Sequence, residues 1–449
     1  MISDQRDDNR PQLTGSGRLI TDWRPCEPRY PISMDDVLNS ANMADAWNRV
    51  RSNKGAAGPD GHTIEETGHL LKTSWPEIKE SLQSGSYQPG PVRTVHIPKG
   101  NGKSRMLGIP NVVDRLIQQA IHQVLSPHYE KDFSAASYGF RPGRNAWQAI
   151  EQAHDYVKQG YTTVVDIDLE KFFDQVNHDI LMARLARRIQ DKRLLGLIRR
   201  YLQSGMMMDG LVSQRAKGTP QGSPLSPLLS NILLDELDKE LEARGHRFCR
   251  YADDCQVYVK SPRAGHRVKE SMTAFLETRL KLPVNRSKSR VVAASRSSFL
   301  GYGFLGMASP RIRCSTETVK RFKRRVRQLT RGHDREAIGV KLARLDRYIR
   351  GWASYFRLAK THRLFADLDG WIRSRLRMCL MKQWFKPRTR VRKMIELGLP
   401  VDEARGYSQH KRWWFLAQLH HTRFLMNNHW WRDQGFRGVN FYMNRFANT

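Results

Sequence analysis

The sequence predicts an α+β protein with more than one domain, in which strands and helices are mixed at first and helices alone follow. The chain has 449 residues, of which 39% are apolar, and this is enough to build two or three hydrophobic cores. Short strand-like segments bounded by turn signals recur up to about residue 310. From Ser315 onward, apolar residues recur at helical spacing instead.

The first elements are predicted to be a polar arm, a helix, a hairpin and a second helix. Residues 1–33 are polar and contain proline, which predicts a flexible arm. Apolar spacing over 34–51 predicts a helix that ends in a Gly/Pro-rich stretch. Residues 92–99 and 104–109, separated by Gly-Asn-Gly, predict a β-hairpin, and 112–125 has helical spacing.

The middle of the chain is predicted to contain a strand, a leucine-rich helix and a second hairpin. In the strand 161–169, Val165, Ile167 and Leu169 point one way, while Asp166 and Asp168 point the other. The helix begins near Pro224 or Pro227, two short strands flank the Tyr-Ala-Asp-Asp stretch within 248–260, and a β-rich stretch covers 291–304. Three helices then follow, the third over 362–384, and residues 386–388 are predicted to be a linker into a last basic module.

The charge of the chain points to a polyanionic partner, and nucleic acid is the first candidate. The formal net charge is +32, and residues 301–449 alone hold 33 Lys and Arg against 10 Asp and Glu. The same region contains seven tryptophans, most of which we expect in the core and the rest in contact with bases. They are Trp352, Trp371, Trp384, Trp413, Trp414, Trp430 and Trp431.

Cysteine usage and hydropathy exclude several classes of protein. The five cysteines are scattered and include no Cys-x-x-Cys pair, so neither a disulfide framework nor a zinc knuckle is indicated, and a reducing cytoplasm fits. The sequence has no apolar run long enough to span a bilayer and no apolar core of signal-peptide length at its N-terminus. We therefore expect no membrane insertion.

Two adjacent acids at a hairpin tip, Asp253 and Asp254, suggest a metal site. Neighbouring carboxylates repel each other unless a cation lies between them, and Mg²⁺ prefers such oxygen ligands together with substrate phosphates. Asp168 from another strand would complete the site, and a pair of Mg²⁺ ions suits phosphoryl transfer. The alternative is that Asp-Asp marks a solvated turn, which is common.

Eight motifs follow one another along the chain: IPK at 97–99, RMLGIP at 105–110, SYGFRPGR at 137–144, DIDLEKFFD at 166–174, GTPQGSPLSP at 218–227, YADD at 251–254, NRSK at 285–288 and FLGY at 299–302. In this order and spacing they make the sequence similar to the reverse transcriptases encoded by bacterial group II introns, the intron-encoded maturases. The resemblance implies a right-hand polymerase with fingers (34–160), a palm whose mixed sheet is backed by helices (161–309), a helical thumb (310–385) and a small basic DNA-binding module (386–449).

The resemblance also implies the catalytic residues. Asp168, Asp253 and Asp254 match the acids that bind two Mg²⁺ ions, with Leu169 as a further metal ligand, whereas Asp166 is a weaker candidate. Phe172 matches the ring that excludes nucleotides bearing a 2′-OH, although it and Phe173 could both be ordinary core residues.

Further residues match positions that bind substrate. Lys99 and Arg105 match the clamp on the incoming triphosphate, and their alternative is a solvated charged hairpin. Gln221 and Gly222 match residues that allow nucleotide and template to approach the backbone, or else form a plain Pro/Gly turn. We expect nucleic-acid contacts of several kinds: template or triphosphate at Arg141 and Arg144, the primer at Lys288, and RNA at Arg321, Lys323, Arg324, Arg325 and Arg327.

The leading functional hypothesis is an RNA-directed DNA polymerase that binds its parent group II intron RNA, assists splicing and copies that RNA into DNA. Its partners would be the intron RNA, an RNA template, a DNA primer or target and dNTPs, in the bacterial cytoplasm and on the nucleoid. Nothing after residue 386 has the Cys/His spacing of a nuclease module. The alternatives are a free-standing reverse transcriptase in DNA repair or phage defence, or a splicing factor with a vestigial polymerase. The oligomeric state stays open, with a dimer as one candidate.

Overall fold

The computed structural model describes residues 32–99, 103–208, 211–213, 217–220, 222–306, 309–331, 336–408 and 412–447. All but the last two residues of the predicted arm lie outside this part of the chain, as do Gln221 and the side chains of Lys99 and Arg105. The helices are α1 Met34–Val37, α2 Ser40–Ser52, α3 Ile64–Ser84, α4 Val112–Glu130, α5 Ala146–Lys158, α6 Phe172–Gln175, α7 His178–Arg188, α8 Lys192–Gln203, α9 Ser226–Ala243, α10 Pro262–Arg279, α11 Thr316–Leu329, α12 Ile338–Tyr355, α13 His362–Gln383, α14 Pro387–Glu396, α15 Val401–Ser408, α16 Trp413–Leu416, α17 His420–Leu425, α18 Asn428–Asp433 and α19 Val439–Ala447. The strands are β1 Val92–Lys99, β2 Lys103–Ile109, β3 Thr163–Ile167, β4 Met206–Met208, β5 Leu211–Ser213, β6 Arg247–Tyr251, β7 Asp254–Val259, β8 Arg290–Ala293, β9 Tyr302–Leu305 and β10 Arg311–Cys314.

The first helical segment is two helices rather than the single helix predicted over 34–51. Ser33 caps α1 through a capping box with Asp36. Asn39 then adopts a ψ of 135° and accepts a hydrogen bond from the backbone N–H of Ala41, which begins α2. A side chain that can cap a new helix therefore interrupts a continuous apolar pattern.

The predicted hairpin is present and belongs to a four-stranded sheet, which we call the fingers sheet, with the order β2-β1-β4-β5. β1 and β2 pair antiparallel, with Arg93 opposite Ile109 and Ile97 opposite Arg105. β4 runs parallel to β1 and starts that pairing at Met206. The hairpin is thus tied to the chain that leads into the GTPQGSPLSP motif.

A second four-stranded sheet, the palm sheet, has the order β6-β7-β3-β8, and all of its neighbours are antiparallel. β3 is buried on both faces, because Val165 and Ile167 join a core with the N-terminal helices, α9 and α10. Val164 on the opposite face joins a core with α5 and the C-terminal helices. The antiparallel palm sheet with helices on both faces confirms the predicted α+β class.

The FLGY motif forms the joint between the palm sheet and the helical region. Phe299 and Tyr302 pair across a tight turn in which Leu300 has a φ of 51° and Gly301 a φ of 84°. A Cβ on Gly301 would lie 2.9 Å from Oγ1 of Thr318 in α11. That hydroxyl donates a 2.7 Å hydrogen bond to the Gly301 carbonyl, so α11 sits directly on this turn.

The helices after residue 315 form one packed body. Phe322 and Val326 of α11, Leu345 and Ile349 of α12 and Ile372 of α13 share a core with Trp431, Val439 and Tyr442 of the last helices. The stretch predicted to be a linker is helical, because Lys386 is the N-cap of α14 and Pro387 is its first residue. The division of this body into thumb and DNA-binding module stays a prediction.

The described residues include four of the five cysteines, and their helices can be compared with the length and hydropathy of a membrane span. Cys249, Cys255, Cys314 and Cys379 are buried and form no disulfide. No helix in the described part of the chain is both long and apolar enough to cross a bilayer.

Candidate active site

Asp253 and Asp254 lie at a tight turn at one end of the palm sheet. Tyr251 pairs with Asp254, so only Ala252 and Asp253 connect β6 to β7. Ala252 has a φ of 58°, in the left-handed region that favours glycine. We call residues 251–254 the catalytic turn because they include two of the predicted catalytic acids, and both acids are partly exposed.

A fully buried arginine holds the catalytic turn from inside the protein. Arg250 is 0% exposed, and its Nη1 donates a 2.9 Å hydrogen bond to the carbonyl of Ala252. Its Nε and Nη2 donate to the two carboxylate oxygens of Asp238 at 2.7 and 2.5 Å, and Asp238 is also 0% exposed. The ion pair balances a charge that would otherwise be costly to bury.

The SYGFRPGR motif packs against the same turn. The backbone N–H of Tyr138 donates to the carbonyl of Arg250, and the N–H of Arg250 donates to the carbonyl of Ala136, both at 2.9 Å. A Cβ on Gly139 would lie 2.3 Å from the backbone N of Ala252, so only glycine fits there. Asn231 bridges the two parts, since its amide donates to the Gly139 carbonyl and its Oδ1 accepts from Arg250.

Asp168 follows the end of β3 and lies on the side of the catalytic turn. The β3–β7 register places Ile167 opposite Cys255, so Asp168 comes next to Asp254. Ser289 Oγ accepts a 3.0 Å hydrogen bond from the Asp168 N–H, and Lys288 Nζ lies 3.0 Å from Asp168 Oδ2. Lys288, predicted to meet the primer, therefore also touches a predicted catalytic acid.

Repulsion among carboxylates dominates the electrostatics of the site. The pKa of Asp254 is raised to about 7, first by burial and then by three neighbouring carboxylates. In order of decreasing effect the neighbours are Asp166, Asp253 and Asp168. The pKa of Asp166 is also raised by burial, although Arg290 Nε lies 3.4 Å from its Oδ2.

The donor chemistry of this group fits a hard divalent cation. Carboxylate oxygens are the ligands that Mg²⁺ prefers, and Leu169, whose side chain is buried, can offer only its backbone carbonyl. Within the described residues no three His, Cys, Asp or Glu side chains are close enough to chelate one ion as they stand. Lys288 pairs with Asp168 in this arrangement, so a cation already offsets part of the acidic charge.

The structure brings the other residues that were predicted to bind substrate together only in part. Gly222 has a φ of 116°, and a Cβ there would lie 2.5 Å from the Gly108 carbonyl, so the motif after β5 packs closely on the hairpin strand β2. Phe172 and Phe173 are both buried in the core, with ring centroids 5.2 Å apart. Lys99 lies at the end of β1 and Arg105 is in β2, whereas Gln221 lies outside the described residues.

The structure does not place Arg141 at the substrate. It is 8% exposed, and its Nε and Nη2 donate to the carboxylate of Glu130 at 3.0 and 2.7 Å. Its Nη1 donates to the carbonyls of Ser134 and Ser137. These bonds and the Glu130 carbonyl engage its donors, which gives Arg141 a structural role, and its contact with template or triphosphate stays a prediction. Arg144 is partly exposed, with its guanidinium 5.6 Å from the ring centre of Tyr138.

The basic residues of α11 lie on the side away from its buried residues Phe322 and Val326. Arg321, Arg324, Arg325 and Arg327 are exposed, and Lys323 is partly exposed. Nζ of Lys323 and Cζ of Arg327 lie over the ring of Trp371 in α13, at 5.6 and 5.5 Å from its centre. Cζ of Arg375 lies 5.7 Å from the same ring centre. The helix thus combines one packed face with one cationic face, as the spacing predicts.

A cleft connects the catalytic turn with the thumb helices. A cavity of about 870 Å³ lies between Asp254, the Leu300–Gly301 turn and helices α11 and α12. Arg321 and Arg347 supply positive charge to its walls, and Trp352 and Tyr355 supply apolar surface. An acidic turn therefore faces a cationic and aromatic wall across one open cavity.

Sequence reasoning did not identify Arg250, Asp238 or Asn231. A signal was present, because Arg250 interrupts the apolar strand Phe248-Cys249 and Asp238 follows Leu237 on the leucine-rich face of α9. A charged residue at a predicted core position on two successive elements indicates a buried pair.

Two family models match successive parts of the chain. Residues 97–304 match the family described as "Reverse transcriptase (RNA-dependent DNA polymerase)", and residues 319–396 match the one described as "Group II intron, maturase-specific domain". The chain is 34% identical over 331 residues to Protein YkfC of Escherichia coli strain K12, a match that covers 64% of this chain and 86% of YkfC.

Two further proteins show how far the similarity extends. The chain is 28% identical over 345 residues to the group II intron-encoded protein LtrA of Lactococcus lactis subsp. cremoris, and the match covers 62% of this chain and 57% of LtrA. A solved structure of a partial Cas6-RT-Cas1–Cas2 complex matches at 28% identity and a TM-score of 0.34, covering 55% of this chain and 42% of that one. On the two family matches and the similarity to YkfC, the chain belongs to the reverse transcriptases encoded by group II introns, RNA-directed DNA polymerases that carry a maturase-specific domain.

Proposed function

We propose that this protein extends a DNA primer on its parent group II intron RNA, with two Mg²⁺ ions at the catalytic turn, and that it assists splicing of the same RNA. The observation that carries the proposal is the meeting of Asp168 with the acids of the catalytic turn beside a cleft lined by cations. Acids that raise one another's pKa are suited to cations and to a substrate that brings phosphates with it.

Asp168, Asp253 and Asp254 would hold the metal ions, together with the carbonyl of Leu169. Mg²⁺ bound there would act as a Lewis acid that stabilises charge on the attacking and leaving oxygens of the phosphoryl transfer. Lys288 pairs with Asp168 at 3.0 Å, so it would limit repulsion among the acids when the site is empty and meet the primer backbone when the site is filled.

The fingers hairpin would bind the incoming dNTP. Lys99 and Arg105 lie near the ends of β1 and β2, where their charges would offset the triphosphate. The contact of Gly222 with the Gly108 carbonyl would keep the hairpin in register with the motif that contains Gln221. Phe172 is buried in the core, and we propose that its ring limits space at the sugar.

The thumb would supply the RNA surface. The exposed cations of α11, including Arg324 and Arg325, lie on a helix whose other face packs in the core. Such a helix can bind phosphates without losing its fold. Binding by this surface would serve both the splicing of the intron RNA and its use as a template, in the bacterial cytoplasm and, during mobility, on the nucleoid.

Primer extension tests the polymerase proposal. The double variant Asp253→Asn with Asp254→Asn keeps side-chain volume but removes two anionic ligands. We expect extension of a DNA primer on an RNA template with Mg²⁺ and dNTPs to fall by about 1,000-fold or more, because metal-ion stabilisation contributes several kcal/mol. Asp45→Asn, at an exposed acid in α2, is the matched control. Extension by the double variant at the wild-type rate would contradict the proposal.

The splicing role has a separate test. RNA bound to the protein in its native cell would be crosslinked and sequenced, and we expect one structured transcript around its own reading frame to dominate. Splicing of that transcript would then be compared between wild type, Arg324→Ala with Arg325→Ala, and the double Asn variant. We expect the thumb variant to lose splicing and the Asn variant to keep it. Unchanged splicing in the thumb variant would count against the maturase role.

A further inference from the structure

A second cationic cavity lies on the palm, at the end of the sheet away from the catalytic turn. It has a volume of about 450 Å³ and lies beside the start of β6, the end of β7 and the first turns of α10. β7 runs for six residues from Asp254 to Val259, so the cavity is about 17 Å or more from the catalytic acids. It is therefore separate from the cleft between palm and thumb.

The walls of this cavity have two kinds of surface. Its floor is apolar and is formed by Tyr161, Val259 and Val268. Its rim carries three exposed cations, Arg247, Lys260 and Arg267. No carboxylate lines the cavity among the residues that the structure describes.

None of the three rim cations has an anionic partner among the residues that the structure describes. Within the described part of the chain none of their side chains forms an ion pair or a hydrogen bond, and only Lys260 has a ring contact, 5.5 Å from the centre of Tyr161. Other exposed cations of the palm do find partners, as Arg244 does with Glu240 and Arg286 with Glu277. Three like charges around one concavity repel each other unless an anion joins them.

We propose that this cavity binds a nucleotide, with its base against the apolar floor and its phosphate at the Arg247, Lys260 and Arg267 rim. A volume of about 450 Å³ is in the range of small-ligand sites, which combine an apolar lining with a few converging polar groups. An unpaired nucleotide of a bound RNA supplies this chemistry, and so does a free nucleotide. The RNA source rests on the proposed function, and it would give the RNA a second point of attachment behind the palm.

The test compares a rim variant with a control of equal charge. The rim variant is Arg247→Gln with Lys260→Gln and Arg267→Gln, and the control is Lys192→Gln with Arg279→Gln and Arg296→Gln, which removes three exposed cations at dispersed places. Binding of a fluorescein-labelled, unstructured 20-nucleotide RNA is measured by anisotropy over a series of KCl concentrations. ATP is used as the free-nucleotide probe, both directly and as a competitor of the RNA.

We expect the rim variant to bind RNA on the order of tenfold more weakly and to lower the slope of log Kd against log[KCl] by about 0.7, since the rim neutralises one phosphate and each phosphate of a single strand contributes about 0.7. The control should change the slope by less than half as much. If ATP binds and its affinity also falls in the rim variant, the cavity accepts free nucleotides; if only RNA binding falls, RNA is its ligand. Equal losses in the rim variant and the control, or no loss of either ligand, would overturn the proposal.

A measurement on the wild-type protein does not depend on the folding of any variant. Acetylation of lysines with a reactive ester, followed by mass spectrometry, reports whether RNA or ATP protects Lys260 relative to the exposed Lys192. We expect protection of Lys260 of about fivefold, and equal labelling of the two lysines would refute the site. Primer extension by the wild-type protein is measured in parallel, so a failed polymerase with a protected Lys260 would refute the proposed function and leave the cavity standing.

Discussion

Replacing the buried Arg250–Asp238 pair by apolar residues separates the positioning of the catalytic turn from the stability of the fold. Both side chains are 0% exposed, and Arg250 is the donor that holds the carbonyl of Ala252. In Asp238→Leu alone, the guanidinium would lose its buried counter-charge, which costs about 3–5 kcal/mol in the free energy of unfolding. In Arg250→Met with Asp238→Leu both charges leave together, so most of that loss is recovered.

Activity should not recover with stability. The double variant has no donor for the Ala252 carbonyl, whose residue is held at a φ of 58°, so the turn that carries Asp253 is free to relax. A shift of about 1 Å in a catalytic group costs on the order of 100-fold in rate. We therefore expect kcat for single-nucleotide addition to fall about 100-fold and KM for the dNTP to stay close to wild type, because the predicted triphosphate contacts lie on the fingers hairpin.

Urea unfolding and single-turnover primer extension measure the two effects on the same preparations. The matched control is Arg188→Met with Asp132→Leu, which removes another ion pair, of 2.6 Å, between the end of α7 and a residue just after α4, and whose arginine is also buried. The reasoning is refuted if the Arg250/Asp238 double variant, at a stability equal to that of the control, adds nucleotides within about threefold of the wild-type rate.

Three further predictions follow from close contacts and buried acids. Gly139→Ala should cost about 1–3 kcal/mol in the free energy of unfolding and slow primer extension, because its Cβ would lie 2.3 Å from the Ala252 nitrogen. The control is Gly196→Ala, whose Cβ would meet nothing within 4 Å. Equal effects of the two substitutions would refute the close approach. Asp168→Asn should reduce extension about 1,000-fold and Asp166→Asn only about tenfold, measured at saturating Mg²⁺; equal losses would make Asp166 an equal candidate for the ligand position. Burial raises the pKa of Asp114 to about 6, so between about pH 4 and 6 the folded protein binds a proton that the unfolded chain has released, and the free energy of unfolding falls as the pH rises. Asp114→Asn should reduce this dependence of the free energy of unfolding on pH, measured by urea titration at pH 4.5 and 7. An unchanged pH dependence would contradict the assignment.

The sequence predicted the parts of the fold that depend on a single element. Alternation in β3 predicted correctly that Val165 and Ile167 are buried and that Asp166 lies on the opposite face from them. It did not show that this opposite face is buried as well at Val164, because that burial comes from α5 and from helices far along the chain. Likewise, the apolar pattern of residues 34–51 gave no sign of the break at Asn39, since a capping side chain is also compatible with a loop or a helix surface.

The candidate site, too, was predicted only in part from the sequence. Asp168, Asp253 and Asp254 were predicted from their motifs, and the β3–β7 register brings them to one end of the palm sheet. The support beneath them was missed, because Arg250 lies in β6, Asp238 and Asn231 lie in α9, and Gly139 lies in the loop before α5. Charged residues at core positions of α9 and β6 were a signal for the Arg250–Asp238 pair, but only the folded chain makes Asn231 and Gly139 their neighbours.

The basic residues of this protein do two different jobs, which bears on how its RNA surface is mapped. Several arginines with buried or partly buried side chains donate to backbone carbonyls where no helix or strand can do so: Arg141 to Ser134 and Ser137, Arg250 to Ala252, Arg375 to Thr330, and Arg377 to Ala417 and Met426. A guanidinium suits this task because it offers five donors in a rigid plane.

Neutralising such a residue would leave buried carbonyls without donors and destabilise the fold, so RNA binding would fall for a reason unrelated to phosphate contact. The salt dependence distinguishes the two cases, since losing a phosphate contact lowers the slope of log Kd against log[salt], whereas losing folded protein lowers the active fraction and leaves the slope unchanged. By this criterion Arg325 and Arg327, exposed on α11, should act on the slope, and Arg141 and Arg377 should act only on the amount of folded protein.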